Sequence, residues 1–165
     1  MAHEYRAQIV WTRDGATFTD NGYSRGHVWR FDEGVEVPAS SSPHSVRLPL
    51  SRADAVDPEE ALIAALSSCH MLFFLSFAAQ AGFVVDEYED SPVGIMSKNE
   101  HGKRFVSKVT LNPAIVVSSS SGLPPRNSTR CITARMKSAT SRIRCAAKLL
   151  LARGSRLPEH WLGAA

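Results

Sequence analysis

Apolar and polar side chains alternate over residues 7–11, the period of two that sends successive side chains to opposite faces of a strand. Residues 27–31 and 35–37 are further extended segments, parted by the turn-like Asp32-Glu33-Gly34, so the N-terminal part predicts a β-meander. The Ser- and Pro-rich stretch 38–49 predicts a loop, because proline brings no N–H to a ladder and serine hydroxyls compete for local backbone bonds.

A different period begins at Asp57-Pro58-Glu59-Glu60. Asp57 suits an N-cap, Pro58 fits the first helical position, and Glu60 stands three residues after the cap, as a capping box requires. Residues 61–81 are rich in Leu, Ala and Phe on every face, and Gly82 follows; this predicts a helix buried all round with a glycine stop. The run approaches the length of a membrane span, but Ser67, Ser68, His70, Ser76 and Gln80 interrupt it, so no membrane contact is expected. Beyond it, 83–88 and 93–96 predict strands, 105–111 alternates, and 100–103 predicts the hairpin turn between the last two. Strands, one long helix, then more strands argue for an α+β fold.

The 165 residues, 44% hydrophobic and 21% charged, suit one soluble domain with a real core. Cys69, Cys131 and Cys145 form no CxxC, which excludes a zinc ribbon and a disulfide scaffold and suggests a reducing cytoplasm. The N-terminus shows no basic segment followed by an apolar one, hence no secretory signal. Charge is uneven: residues 1–125 hold 10 Lys and Arg against 15 Asp and Glu, whereas 126–165 hold 9 against the single Glu159. Such a basic tail suits phosphate neutralisation, but its one aromatic is Trp161, too few for base stacking, so nucleic acid is not the expected partner.

Cys69 is the residue that could do chemistry. From position alone, an inert core cysteine is the default. Reactivity needs a thiolate, and a thiolate needs a cation. The helix dipole cannot serve, because Cys69 stands 12 residues past the cap and the dipole fades within a turn. His70 points away by roughly 100° and suits a packed core histidine better than a base. Arg25 and Arg30, on strands preceding the helix, are the better cations. Glu59 could orient such an arginine bidentately, or simply be a first-turn acid favoured by the dipole.

The run Asp57-Pro58-Glu59-Glu60-Ala61-Leu62 followed by Ala64-Ala65-Leu66-Ser67-Ser68-Cys69-His70 resembles the central helix of the OsmC/Ohr family of organic hydroperoxide reductases, and residues 23–31 resemble the strand before it in the OsmC branch. The resemblance covers residues 1–117, apart from the first few. It implies a thiol peroxidase that needs no metal or other cofactor. Cys69 matches the peroxidatic cysteine, Glu59 the family glutamate, and Arg25 the arginine that stabilises the thiolate, with Arg30 as fallback. It further implies an intertwined homodimer, an organic hydroperoxide substrate, and a thiol or lipoyl reductant.

Residues 118–165 depart from that family. Its closing helix with His-x-x-Ala-His-x-x-Cys, whose cysteine resolves the sulfenic acid, is absent, and neither Cys131 nor Cys145 sits in that motif. Joining the last base of each codon to the first two of the next lets suitable synonymous codons over 131–150 spell His-His-Arg-Ala-His-Glu-Glu-Cys-Tyr-Ile-Ala-Asn-Ser in order. The expectation is a frameshift near residues 118–121 that leaves a divergent basic tail, irregular or non-native apart from a short helix over 146–152 favoured by Leu, Ala and Lys. The alternatives are an inactive homologue or a binding protein that uses the tail. The gene sequence around codons 118–121 checks the frameshift: codons that spell the motif in the shifted frame are expected, and codons that cannot do so overturn it.

Overall fold

The capping box forms as its spacing predicts. In the computed structural model, which describes residues 2–118, 143–145 and 148–151, the Glu60 N–H donates to Asp57 Oδ1 at 2.8 Å and the Asp57 N–H to Glu60 Oε2 at 3.2 Å. Two otherwise orphaned backbone donors are satisfied reciprocally, worth about 1 kcal/mol at the cap. Helix α1 then runs Pro58–Gln80. It closes where Gly82 turns left-handed at φ 80°; the Gly82 N–H reaches Ala79 O and the Phe83 N–H reaches Ala78 O, both at 3.0 Å. That paired closure satisfies the last carbonyls and returns Phe83 to the apolar cluster around Ala78.

The chain divides into two compact units, Met1–Leu62 and Ile63–Ala165. In the first, β1 (Gln8–Val10), β2 (His27–Arg30) and β3 (Glu36–Ala39) form the predicted antiparallel meander in that order. The Asp32–Gly34 turn joins β2 and β3, with Glu33 at φ 55° and Gly34 at φ 78°. One boundary differs from expectation: Pro38 and Ala39 belong to β3 rather than to the loop. A proline is tolerated there because β3 is an edge strand. Its carbonyl still accepts from Val56 N–H at 3.1 Å.

In the second unit, β4 (Val84–Glu89) pairs antiparallel with β7 (Ala114–Ser118), and β5 (Val93–Lys98) with β6 (Arg104–Leu111). The predicted hairpin turn is present: Asn99 Oδ1 accepts from the His101 and Lys103 N–H groups, and Gly102 takes φ 72°. The α+β class is therefore observed. Two short strands, β8 (Ile143–Cys145) and β9 (Lys148–Leu151), add parallel to β6 and β7. The Leu-rich segment expected to be helical is thus a strand at 148–151; pairing with an open β7 edge outweighs a weak helix propensity. Cys131 lies outside the described residues.

The expectation that α1 is buried all round is wrong. Only Ser67, Phe74 and Ala78 are buried, a single stripe on one face. Phe74 and Ala78 form the core with Ile115 and Val117 of β7, flanked by Leu75, Phe77, Val85 and Tyr88. Leu62, Leu72 and Phe73 remain 46%, 61% and 56% exposed. By length and composition α1 could cross a membrane, yet its middle is hydrogen-bonded to a neighbouring strand and turn. The described residues bury one side of the helix.

Helix and sheet approach closely at Gly94 of β5. A Cβ placed there would lie 2.2 Å from Ile63 Cδ1 and 2.9 Å from its Cγ1. Gly94→Ala is therefore expected to lower the unfolding free energy by about 1–3 kcal/mol in urea denaturation. Ile63→Val, which removes the colliding methyl, is expected to recover part of that loss.

Candidate active site

At 100° per residue, Cys69 projects roughly 160° from Ser67, 140° from Phe74 and 180° from Ala78. It therefore faces away from everything α1 buries. The thiol is free and exposed, which removes the inert-core alternative for this chain. On the same side of the helix lie Leu62, Ala65, Leu72 and Phe73, within about 60° of it, together with Ser76 and Gln80, within about 20°, all exposed; Gln80 Nε2 donates to Ser76 Oγ at 3.3 Å.

Immediately before and after that thiol, α1 carries two polar ties. Ser67 Oγ donates to Asp90 Oδ2 at 2.5 Å. Asp90 is itself held from the turn after β6, where the Asn112 N–H donates to Oδ1 at 2.7 Å and Asn112 Nδ2 to Ser91 O at 3.1 Å. His70 Nδ1 meets the Tyr88 hydroxyl at 2.8 Å, while its buried Nε2 has no hydrogen-bond partner among the described residues. Burial lowers the His70 pKa from its ordinary value, opposed by the Asp90 charge, which raises it. His70 is thus a neutral, half-buried anchor, as the packed-histidine expectation had it. Tyr88, Asp90 and Asn112 were not foreseen as site residues; the available signal was Ser67 and His70 themselves, two polar groups in an apolar run.

Arg25 and Glu59 lie in the other unit. The Arg25 guanidinium rests over the Tyr23 ring, 4.0 Å from its centroid, a contact worth about 0.5–1 kcal/mol at an exposed site. Tyr23 in turn stacks on Phe18 at 4.8 Å and meets Trp11 edge-on at 5.3 Å. Arg25 Nη1 donates to the carbonyls of Asn21 and Tyr23, leaving Nε and Nη2 without a hydrogen bond among the described residues. The backbone around it is fixed: Arg25 N–H donates to Leu50 O at 2.7 Å, and His27 Nδ1–H donates to Arg25 O at 2.7 Å while His27 Nε2 accepts from Trp29 Nε1.

Arg30, the fallback cation, is engaged elsewhere, its Nε 2.6 Å from Glu36 Oε1 across β2 and β3. Glu59 is half-buried and makes no hydrogen bond or ion pair with the described residues, so the expected pairing of Glu59 with Arg25 is not formed. Glu59 and Cys69 share α1, ten residues apart. Among the described residues, no group of three His, Cys, Asp or Glu side chains could hold a metal ion.

No family model and no curated protein matches the chain. Among solved structures, an OsmC-like protein of unknown function from Vibrio cholerae is 42% identical, with TM-score 0.79 over 90% of this chain and 100% of its own. The chain belongs to the OsmC/Ohr family. An OsmC-like protein from Mycoplasma pneumoniae (14% identity, TM-score 0.62, 93% of this chain and 100% of its own) shares the OsmC-like fold. So does an organic hydroperoxide resistance protein from Elizabethkingia anophelis (14%, TM-score 0.58, 92% and 100%). In this OsmC-like chain Cys69 is an exposed free thiol on α1, and Arg25, in its own unit, is a cation with two nitrogens that donate to none of the described residues.

The His70 environment sets a pH dependence with a definite sign. Its folded pKa lies below the unfolded value near 6.5, so the unfolded chain takes up the proton first and stability falls as pH drops through about 6.5 towards the folded pKa. Above that range His70 contributes no slope. Urea midpoints measured between pH 7.5 and 5 are expected to fall on acidification, and His70→Asn is expected to flatten that part of the curve.

Proposed function

We propose that this OsmC-like protein is a cysteine-based peroxidase that reduces organic hydroperoxides to alcohols. The observation that carries this reading is the placement of Cys69, exposed at the middle of the α1 face that the chain's own sheet leaves open. Support also comes from the organic hydroperoxide resistance proteins among its structural neighbours.

The Cys69 thiolate attacks the distal oxygen of ROOH along the O–O axis. An S–O bond forms, the O–O bond breaks, and the departing RO⁻ takes a proton to leave as ROH. The sulfur, oxidised by two electrons, becomes a sulfenic acid. Arg25 is the cation that favours the thiolate and stabilises charge on the leaving oxygen, through the Nε and Nη2 donors its aromatic shelf leaves unused. Glu59, the family glutamate by resemblance, is the carboxylate we assign to Arg25 once peroxide is bound, a pairing that the described residues do not make on their own. The step asks nothing of a metal, flavin or haem.

Without the family's resolving cysteine motif, an external thiol or lipoyl dithiol attacks the sulfenic sulfur, releasing water and leaving a mixed disulfide that a second thiol reduces. The working form is a cytoplasmic homodimer, in which a second copy covers the apolar face bearing Leu62, Leu72 and Phe73. Residues 118–165 are a divergent tail, read out of frame, that takes no part in the chemistry.

Cys69→Ser is expected to abolish peroxide-dependent thiol oxidation with cumene hydroperoxide and a dithiol. Unchanged turnover in that variant defeats the assignment. Arg25→Gln is expected to slow Cys69 oxidation by about a hundredfold, the scale of losing one preorganised charge-stabilising donor, as read by stopped-flow single turnover.

A further inference from the structure

The apolarity of α1 poses a physical difficulty that the two polar ties resolve. The buried stripe is Ser67, Phe74 and Ala78. Turning the helix by one residue would bring Leu66 and Phe73 to the sheet beside Phe77, which already flanks the core. Phe74, Leu75, Phe77 and Ala78 pack in the observed rotation and Leu66 and Phe73 would gain cover in the turned one, so burial of hydrocarbon alone does not choose between the two. In the turned rotation Cys69, only about 40–60° from Leu66 and Phe73 on the helical wheel, would turn towards the sheet.

What distinguishes the observed rotation is polar. A serine buried to 9% exposure must find a hydrogen-bond partner or its desolvation opposes folding. Ser67 has one in the Asp90 carboxylate, a charge-assisted bond at 2.5 Å, and Asp90 is held by Asn112. His70 has one in the Tyr88 hydroxyl. The two ties flank Cys69 in sequence, at the residue two before it and the residue one after.

We infer that Ser67 and His70, held by Asp90 and Tyr88, are positioning residues that fix the rotation of α1 and thereby hold the Cys69 sulfur on the open face. This rests on the reading of Cys69 as the nucleophile for its consequence, but not for its test. The test measures the rate at which iodoacetamide alkylates Cys69 in the folded chain, followed by peptide mass spectrometry, beside single-turnover oxidation by cumene hydroperoxide.

Ser67→Ala is expected to slow Cys69 alkylation at least fivefold, with peroxide oxidation falling by a similar factor and Ser67→Thr restoring both. A merely structural role gives the opposite sign, because a loosened fold exposes the thiol and speeds alkylation. Unchanged or faster alkylation in Ser67→Ala therefore overturns the inference. Should Ser67→Ala fail to fold, Tyr88→Phe carries the same test, since it keeps the ring beside Phe74 at 5.9 Å and removes only the hydroxyl that holds His70. If the parent chain is alkylated at Cys69 but is inert to peroxide, the peroxidase assignment falls, and the alkylation rates alone decide the role of Ser67 and His70.

Discussion

A helix that is apolar on every side carries no instruction about which side to bury, and the rest of this structure depends on how that ambiguity is resolved. In amphipathic helices the polar face chooses for itself, because exposing it costs nothing and burying it costs a great deal. In α1 only single groups break the symmetry. Ser67 and His70 can be buried just where Asp90 and Tyr88 await them, and small Ala78 lets the helix settle on Ile115 and Val117. The exposed thiol follows from that choice.

The same helix brings no cation to its own thiol. A thiol 12 residues beyond the cap is out of reach of the dipole's positive end, and the Leu, Ala, Phe, Ser and Gln side chains on its face of the helix carry no charge. An arginine suits the task because its guanidinium stays charged when half-buried and because its five donors let it be held and remain available at once. Arg25 shows that division of labour in its own unit: the aromatic shelf and two backbone carbonyls engage one face and one nitrogen. Arg30, tied to Glu36 on the next strand, has its charge already answered.

Much of the fold was legible because its signals are local. The capping box, the Gly82 closure, the Asn99–Lys103 turn and the Asp32–Gly34 turn each depend on a few adjacent residues whose backbone chemistry admits one solution. What was not legible depends on tertiary partners. Pro38 is a strand residue because β3 happens to be an edge, and 148–151 is a strand because β7 has a free side to pair with. The helix looked buried all round because composition reports how apolar a face is, not whether the chain has enough sheet to cover it. For the site, the motif pointed to Cys69, Arg25 and Glu59, but the anchors Asp90, Tyr88 and Asn112 are polar residues at strand ends, indistinguishable in sequence from solvated ones.

That contrast between local and partner-dependent features also bears on the tail. Backbone pairing is tolerant: any extended segment with donors and acceptors in register can extend β6 or β7, and a run such as Lys148–Leu151 needs no particular side chain to do so. Side-chain chemistry is not tolerant. A thiol that acts on another sulfur has to stand at one place, and strand pairing alone does not put it there. A chain of this sequence can therefore keep the architecture of its family on generic hydrogen bonds without keeping the side chains of the family's closing motif.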